Sequence, residues 1–158
     1  MTGPDGFLIG VISDTHGVLR PEAIERLSGA RHILHAGDIG APDIVWALRK
    51  IAPVTAIRGN IDRAAWATEY PKTATVVLAA IRIHLVHDRA ELSPKVQHGG
   101  VEVVVFGHSH KPVIEQNGGV LFLNPGSAGP RRFRLPVTVA TIAIAGGEIR
   151  PTIHQLID

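Results

Sequence analysis

Residues 7–16, FLIGVISDTH, decide the fold, because an apolar run suited to a buried strand ends there in an aspartate and a histidine. Similar runs end in metal-liganding side chains at residues 32–38, HILHAGD, and at residues 101–110, VEVVVFGHSH. Ligands of open α/β sheets gather outside the carboxyl ends of the strands. The pattern therefore predicts an α/β protein whose chemistry lies at one edge of its sheets.

Helical patterns separate the early strands. Pro21 and Gly29 suit the first turn and the cap of one helix, and Pro42 opens a second helix before a strand at residues 54–57. Alternation of this kind is typical of β–α–β units with parallel strands.

A hairpin is predicted around Ala80, and the chain after residue 107 is predicted to be mostly antiparallel, with hairpin turns at Gly118-Gly119 and Gly146-Gly147. A short helix is expected over residues 90–97, and residues 101–107 are expected to form a strand covered on both faces. Two sheets backed by helices would accommodate these strands in a single domain over residues 1–158.

The chain has no cysteine, which excludes disulfides, thiolate catalysis and metal sites built on Cys. It has no apolar run near the roughly 18 residues of a membrane span, and the N-terminal segment MTGPDGFLIGVIS lacks the features of a signal peptide. We therefore expect a cytoplasmic protein. The formal charge of +2 gives little support for a nucleic-acid partner. The basic loop Arg131, Arg132, Arg134 suits either solvent exposure or a substrate phosphate.

Seven candidate metal ligands stand at predicted strand ends: Asp14, His16, Asp38, Asn60, His87, His108 and His110. A single Asp or Asn in this position is usually satisfied by a turn, but convergence of the whole set favours a metal centre. Such ligands suit Mn²⁺, Fe, Ni²⁺ or Zn²⁺ rather than Ca²⁺. If His108 and His110 alternate along an extended chain, their Cα atoms lie roughly 6.5 Å apart, which suits two ions better than one.

These residues, with Gly37, Gly59, Gly107 and the loop Asn124-Pro125-Gly126-Ser127, form a pattern that resembles the calcineurin-like metallophosphoesterase superfamily, specifically its small bacterial and archaeal phosphodiesterases. The resemblance implies a four-layer αββα sandwich with two mixed β-sheets flanked by helices. It also implies that Asp14, His16 and His110 bind one ion, that Asn60, His87 and His108 bind a second, and that Asp38 bridges both. Among the metals it favours manganese.

The implied activity is hydrolysis of small phosphate esters, mainly phosphodiesters, by a hydroxide that bridges two divalent ions. Asp38 and Asn60 are the catalytic candidates, and no further cofactor is predicted. The alternative is a non-catalytic scaffold or protein-interaction module on the same fold, as in the retromer subunit that lacks a full ligand set. A homo-oligomer is left open.

Several positions have competing interpretations. Asp88 stands where small relatives commonly have glycine, and it could be an outward surface residue, a support for an imidazole or an electrostatic brake on anionic substrates. Residues 124–127 could be a turn or could line the substrate pocket. By the same resemblance, larger relatives place a histidine directly after the residue that matches Asn60 to protonate a leaving group, but this chain has Ile61 there and then Asp62, which is normally ionised near neutral pH, so the group that protonates the leaving group is unassigned. His35 is a candidate support for the ligands, whereas His32, His98 and His154 are expected at the surface and His84 in the middle of a strand.

Overall fold

The computed structural model describes residues 6–158, so residues 1–5 of the predicted domain and of the N-terminal segment lie outside the described part. The strands are β1 (Phe7–Ile12), β2 (His32–His35), β3 (Val54–Ala56), β4 (Thr73–Leu78), β5 (Ile81–Val86), β6 (Val103–Val105), β7 (Val113–Asn117), β8 (Val120–Asn124), β9 (Thr138–Ala145) and β10 (Glu148–Gln155). The helices are α1 (Pro21–Leu27), α2 (Pro42–Arg49) and α3 (Pro94–Gln97), with 3₁₀ turns at Ala65–Glu69 and Arg89–Glu91. None of the helices in this part of the chain is long and apolar enough to cross a membrane.

The first sheet has the strand order β10-β9-β1-β2-β3. Its strands β1, β2 and β3 are parallel, with Ile12 opposite His35 and His35 opposite Ala56 at their carboxyl ends. Helices α1 and α2 make the crossovers that parallel neighbours require. The predicted β–α–β units are confirmed.

The second sheet has the order β4-β5-β6-β8-β7, in which β5, β6 and β8 are parallel and the two edge strands are antiparallel to their neighbours. The predicted hairpins are confirmed. Gly118-Gly119 and Gly146-Gly147 take φ of 59° and 80°, and Ala79 and Ala80 take 51° and 66° in the turn between β4 and β5. Positive φ at both central residues is the geometry of the favoured two-residue hairpin turn.

The sheets pack face to face through a buried apolar layer that includes Ile9, Leu34, Leu85 and Ile142. Helices α1 and α2 cover the outer face of the first sheet. The outer face of the second carries Val104 and Phe122, covered in part by the short segment around Leu92. The predicted αββα architecture with two mixed sheets is confirmed, and its fourth layer is thin.

The expected helix over residues 90–97 is divided. A 3₁₀ turn ends at Glu91, and α3 begins at Pro94, because Leu92 and Ser93 are extended. Extended backbone before a proline is expected, since the ring disfavours helical geometry in the preceding residue. The strand predicted over residues 101–107 is only Val103–Val105. The chain beyond it turns, and this turn shapes the candidate metal centre.

Candidate metal centre

The loops after β1 and β2 run side by side beyond the strands. Asp14 N–H donates to Gly37 O at 3.0 Å, and His16 N–H donates to Asp38 O at 3.0 Å. This backbone ladder places three of the predicted ligands at the carboxyl edge of the first sheet.

The second sheet brings its loops to the same edge. Gly107 N–H donates to His87 O at 2.9 Å, which joins the loops after β5 and β6. His108 N–H donates to Asp14 Oδ2 at 3.2 Å and so connects the two sheets. The strand ends converge as the sequence predicts.

The backbone is left-handed at five of the predicted ligands: Asp14 (φ 56°), His16 (47°), Asp38 (55°), His108 (71°) and His110 (65°). This conformation is uncommon outside glycine, and strain of order 1–3 kcal/mol per residue clusters at functional sites. The prediction that His108 and His110 alternate along an extended chain is wrong, because the backbone turns after Val105.

Two glycines allow backbone to approach the carboxylates. A Cβ atom on Gly59 would collide with Asp38 Oδ1, and one on Gly107 would collide with Ser13 Oγ and Asp14 Oδ2. Close approach therefore requires glycine next to these ligands.

The first cluster consists of Asp14, His16 and His110, with one ligand atom of each within 4.8 Å of the others. Asp14 Oδ1 lies 3.4 Å from His110 Nε2 and 3.9 Å from His16 Nε2. Asp14 is fully buried and His110 is nearly so. One carboxylate and two imidazoles at this spacing can hold one cation.

The second cluster consists of Asp14, Asp38 and His87. His87 Nε2 is 3.2 Å from Asp38 Oδ2 and 3.8 Å from Asp14 Oδ1. The Nδ1–H of His87 donates to Ala36 O at 2.7 Å, because a carbonyl oxygen can only accept. This bond fixes the ring so that Nε2 faces the carboxylates.

Asp38 lies between the clusters. Its Oδ2 is 3.5 Å from His16 Nε2 as well as 3.2 Å from His87 Nε2, while Oδ1 accepts from Ile61 N–H at 3.1 Å. Burial acts to raise the pKa of Asp38, but the contact with His87 and the Ile61 hydrogen bond outweigh it and lower the pKa. A single oxygen of an ionised carboxylate therefore faces both clusters.

Asn60 and His108 lie at the rim. Both are exposed, and both line a cleft that opens beside His87. The His108 ring centroid is 5.3 Å from that of His87, close to the 5.4 Å between His16 and His110. The structure thus gathers five of the predicted ligands in the interior and places these two at its border.

The centre fits a cation. Six buried side-chain atoms have no hydrogen-bond partner in residues 6–158, and four of them belong to this centre: Asp14 Oδ1, His16 Nε2, His87 Nε2 and His110 Nδ1. Unpaired buried polar atoms are rare and costly. Burial acts to lower the pKa of His87, but its contact with Asp38 and the charges of Asp14 and Asp38 raise the pKa to about 9. The pocket therefore favours positive charge, and its N and O donors suit divalent transition metals.

Asp62 connects the loops that carry Asp38 and Asn60. Its buried carboxylate accepts from the N–H groups of Ile39 at 2.9 Å, Gly40 at 3.0 Å and Gly59 at 2.9 Å. Because both oxygens are occupied, this side chain supports the loops rather than supplying a free acid. Sequence analysis missed the role, since Ile39 and Gly40 lie 23 and 22 residues away.

His35 also joins two ligand loops. Its Nδ1 accepts from Gly37 N–H at 3.1 Å, so its Nε2–H faces Thr15 Oγ1 at 3.0 Å. Thr15 in turn donates to Ile39 O at 2.8 Å. Burial lowers the pKa of His35 to about 4, which keeps the ring neutral. The structure places His35 in the supporting position that the sequence predicts.

The loop at residues 124–127 supports the centre through hydrogen bonds to the loops that carry the candidate ligands. Asn124 Nδ2 donates to Gly107 O at 3.1 Å and to Ser109 Oγ at 3.2 Å, and Ser127 Oγ donates to Asp14 O at 3.0 Å. Both Asn124 and Ser127 are buried, and neither lines the cleft. The interpretation of this loop as pocket lining is wrong.

Asp88 is half-buried and borders the cleft rather than pointing away from it. Its Oδ1 accepts from Ala90 N–H at 3.0 Å, and its Oδ2 is 3.8 Å from His108 Nε2.

In the basic loop of Arg131, Arg132 and Arg134, the side chain of Arg131 donates to Asp158 O at 2.6 Å. The charge of Arg132 adds to the effect of burial in lowering the pKa of His16, although Asp38 and Asp14 oppose both.

Residues 7–147 match the family model of the calcineurin-like phosphoesterase superfamily domain. The chain belongs to this superfamily. It is 35% identical over 154 residues to a probable metallophosphoesterase of Methanothermobacter thermautotrophicus, covering 90% of this chain and 88% of the relative. It is 33% identical to the phosphodiesterase YfcE of Escherichia coli, covering 73% of this chain and 76% of that protein.

The fold is also that of a protein whose crystal structure is known. The crystal structure of Chaetomium thermophilum Vps29 superposes with a TM-score of 0.78, covering 97% of both chains at 20% identity. Identity this low shows a shared fold and nothing about activity. The family resemblance stated from the ligand pattern is confirmed by the family model and the bacterial and archaeal relatives.

Proposed function

We propose that this superfamily member is a metal-dependent phosphodiesterase that holds two divalent ions, with manganese as the native metal. The four unpaired buried atoms around two carboxylates carry the proposal, because a cation is what such a set lacks. The name of the relative YfcE supports the phosphodiesterase class. Small phosphate esters are the proposed substrates.

In this proposal Asp14, His16 and His110 hold one ion, and Asn60, His87 and His108 hold the other, with Asp38 between them. The two histidine pairs, with centroids 5.4 and 5.3 Å apart, support this division. Bound divalent ions supply Lewis acidity towards phosphoryl oxygens and lower the pKa of a water.

The protein's own groups bind and orient the ester. The exposed amide of Asn60 lies at the cleft beside His87, where it can donate to a phosphoryl oxygen. The carboxylate of Asp62 is occupied by backbone, so it offers no proton to a departing oxygen. General acid catalysis is worth about 10²–10⁴-fold, and we therefore expect aryl phosphodiesters to react much faster than alkyl monoesters.

Metal removal tests the function. The purified protein is stripped with a chelator, its metal content is measured, and Mn²⁺ is restored before assay on bis(p-nitrophenyl) phosphate. We expect hydrolysis to disappear and return with the metal. Equal activity in verified metal-free protein would contradict the proposal.

The same assay separates the enzyme from the scaffold alternative. The Vps29 likeness supports that alternative through fold alone, whereas every predicted ligand position in this chain carries a metal-liganding side chain. A scaffold would hydrolyse no phosphodiester or monoester with any of Mn²⁺, Ni²⁺, Fe²⁺ or Zn²⁺.

A further inference from the structure

The cleft beside His87 has a volume of about 440 Å³, and its lining includes residues of both charges. Arg58, Arg63 and Lys72 form the basic wall, and Asp88 and Glu91 form the acidic wall. The basic wall is drawn from two chain segments that hydrogen-bond to each other, since Arg58 N–H donates to Pro71 O at 2.9 Å.

None of the three basic-wall side chains forms an ion pair within the described residues. Elsewhere Arg49 pairs with a glutamate, and so do Arg89 and Arg150. Asp62 also borders the cleft, but its oxygens are taken by three backbone N–H groups. Three cations thus face a concave space without a carboxylate partner.

Two of these cations are positioned in advance. Arg58 Nη1 donates to Tyr70 O at 2.5 Å, and Arg63 Nε donates to Asn60 O at 3.0 Å. A guanidinium has five N–H donors, so each retains donors for a ligand. Arginine held in this way loses less conformational entropy when it binds an anion.

We propose that the basic wall binds a second phosphate carried on one ester arm of the phosphodiester substrate. This inference rests on the proposed function, because the scissile phosphate would occupy the metal centre next to Asn60. Arginine and lysine recognise phosphate through charge-assisted hydrogen bonds. The phosphorylated arm extends away from Asp88 and Glu91.

The acidic wall favours a small ester over a nucleic-acid strand. A strand would carry a further phosphate on the other side of the scissile group, towards Asp88, whose Oδ2 is 3.8 Å from His108 Nε2. Like charges at that point oppose binding. One phosphorylated arm meets no such repulsion.

A matched pair of substrates tests the basic wall. The p-nitrophenyl ester of thymidine 5′-phosphate is compared with the same ester carrying a 3′-phosphate, on the Mn²⁺-loaded protein. Both release p-nitrophenolate and differ by one phosphate. We expect the 3′-phosphate to lower KM about tenfold, equivalent to about 1.4 kcal/mol.

Exposed residues supply the variants. Lys72→Ala and Arg63→Ala should each reduce this KM ratio several-fold, whereas Lys50→Ala, which removes a lysine just after α2, should retain it. Calorimetry with thymidine 3′,5′-bisphosphate and thymidine 5′-phosphate provides a readout independent of turnover. The bisphosphate should bind more tightly to the native protein, and Lys72→Ala should remove that difference.

Failures of the two proposals are distinguishable. If both esters were hydrolysed at equal KM and Lys72→Ala changed neither value, the proposal that the basic wall binds a second phosphate would be wrong. The proposed phosphodiesterase function would be unaffected. Hydrolysis of neither ester, and none of bis(p-nitrophenyl) phosphate, would overturn the proposed function, and calorimetry would then decide on the basic wall alone. Stronger competition by a ten-nucleotide oligothymidylate than by the bisphosphate would overturn the small-ester class in favour of a strand.

Discussion

Two groups of histidines in this protein show how the surroundings of a candidate metal ligand differ from those of a structural imidazole. On the sheets, His32 is 2.8 Å from Thr55 Oγ1, and His84 is 2.7 Å from Thr75 Oγ1. His154 follows the same rule at 2.8 Å from Thr141 Oγ1.

In the metal centre, His16, His87 and His110 each have a ring nitrogen that is buried without a hydrogen-bond partner. These rings lie at strand ends and face carboxylates. Both groups are at least half-buried, so an unsatisfied nitrogen in a ring that faces a carboxylate is the feature that indicates a candidate metal ligand. Of the histidines expected on the surface, only His98 is exposed, while His32 and His154 are half-buried.

The largest expected effect separates two histidines near the end of β5. His87→Gln should lose metal and reduce phosphodiester hydrolysis by more than about 100-fold, because ligand loss exceeds the 10–100-fold effect typical of residues that only support ligands. His84→Gln is the matched control and should retain bound metal. Metal content and kcat/KM measure both, and equal losses would break the distinction between the groups.

His110→Ala and His108→Ala should weaken different ions. The reason is their position, since His110 lies in the first cluster and His108 lies 5.3 Å from the His87 ring. Anomalous scattering from crystals of the two variants would locate the remaining metal. If both variants emptied the same position, the proposed division of ligands would be wrong.

The substitution Asp62→Asn tests whether Asp62 supports the candidate ligands through its hydrogen bonds to backbone N–H groups. The amide nitrogen of Asn cannot accept, so at least one N–H of the Asp38 and Asn60 loops would lose its partner, at a cost of about 1–3 kcal/mol. We expect metal affinity to fall by about 10–100-fold. Asp43→Asn on the exposed side of α2 is the control, and metal titration with urea unfolding makes the comparison. If Asp62→Asn instead reduced the hydrolysis of esters with alkyl leaving groups selectively, Asp62 would be the acid that protonates the leaving group.

Asp88→Gly should leave both ions bound and change activity by less than about tenfold, because its Oδ1 is used by Ala90 N–H. Metal content and turnover of bis(p-nitrophenyl) phosphate check this. Loss of one equivalent of metal would show that Asp88 is a ligand.

The smallest effect concerns the sheet histidines. Burial lowers the pKa of His84 from its ordinary value of 6.5, so below pH 6.5 the unfolded chain takes up the proton before the folded chain does. Stability should therefore decrease as pH falls through this range, and His84→Gln should decrease less steeply. Urea unfolding between pH 8 and pH 5 measures the two slopes. Parallel slopes would show that His84 does not contribute.

Much of the fold followed from local patterns. Strand β2 and the glycine hairpins lie where sequence predicts them, since alternation, proline and glycine act within a few residues. The helix over residues 90–97 was divided and the strand at residues 101–107 was shortened, because tertiary contacts decide where such weak elements end.

The sequence by itself determined the family, the candidate ligands at the strand ends and the exclusion of thiolate chemistry, because side-chain identity and order along the chain carry that information. Only the tertiary structure decided the left-handed turns at Asp14 and His110, the use of Asp62 and Asn124 as supports, and the two walls of the cleft. These features depend on contacts between loops far apart in the chain. Hydrogen bonds and charges act over a few ångströms in space, and distance in sequence does not reveal them.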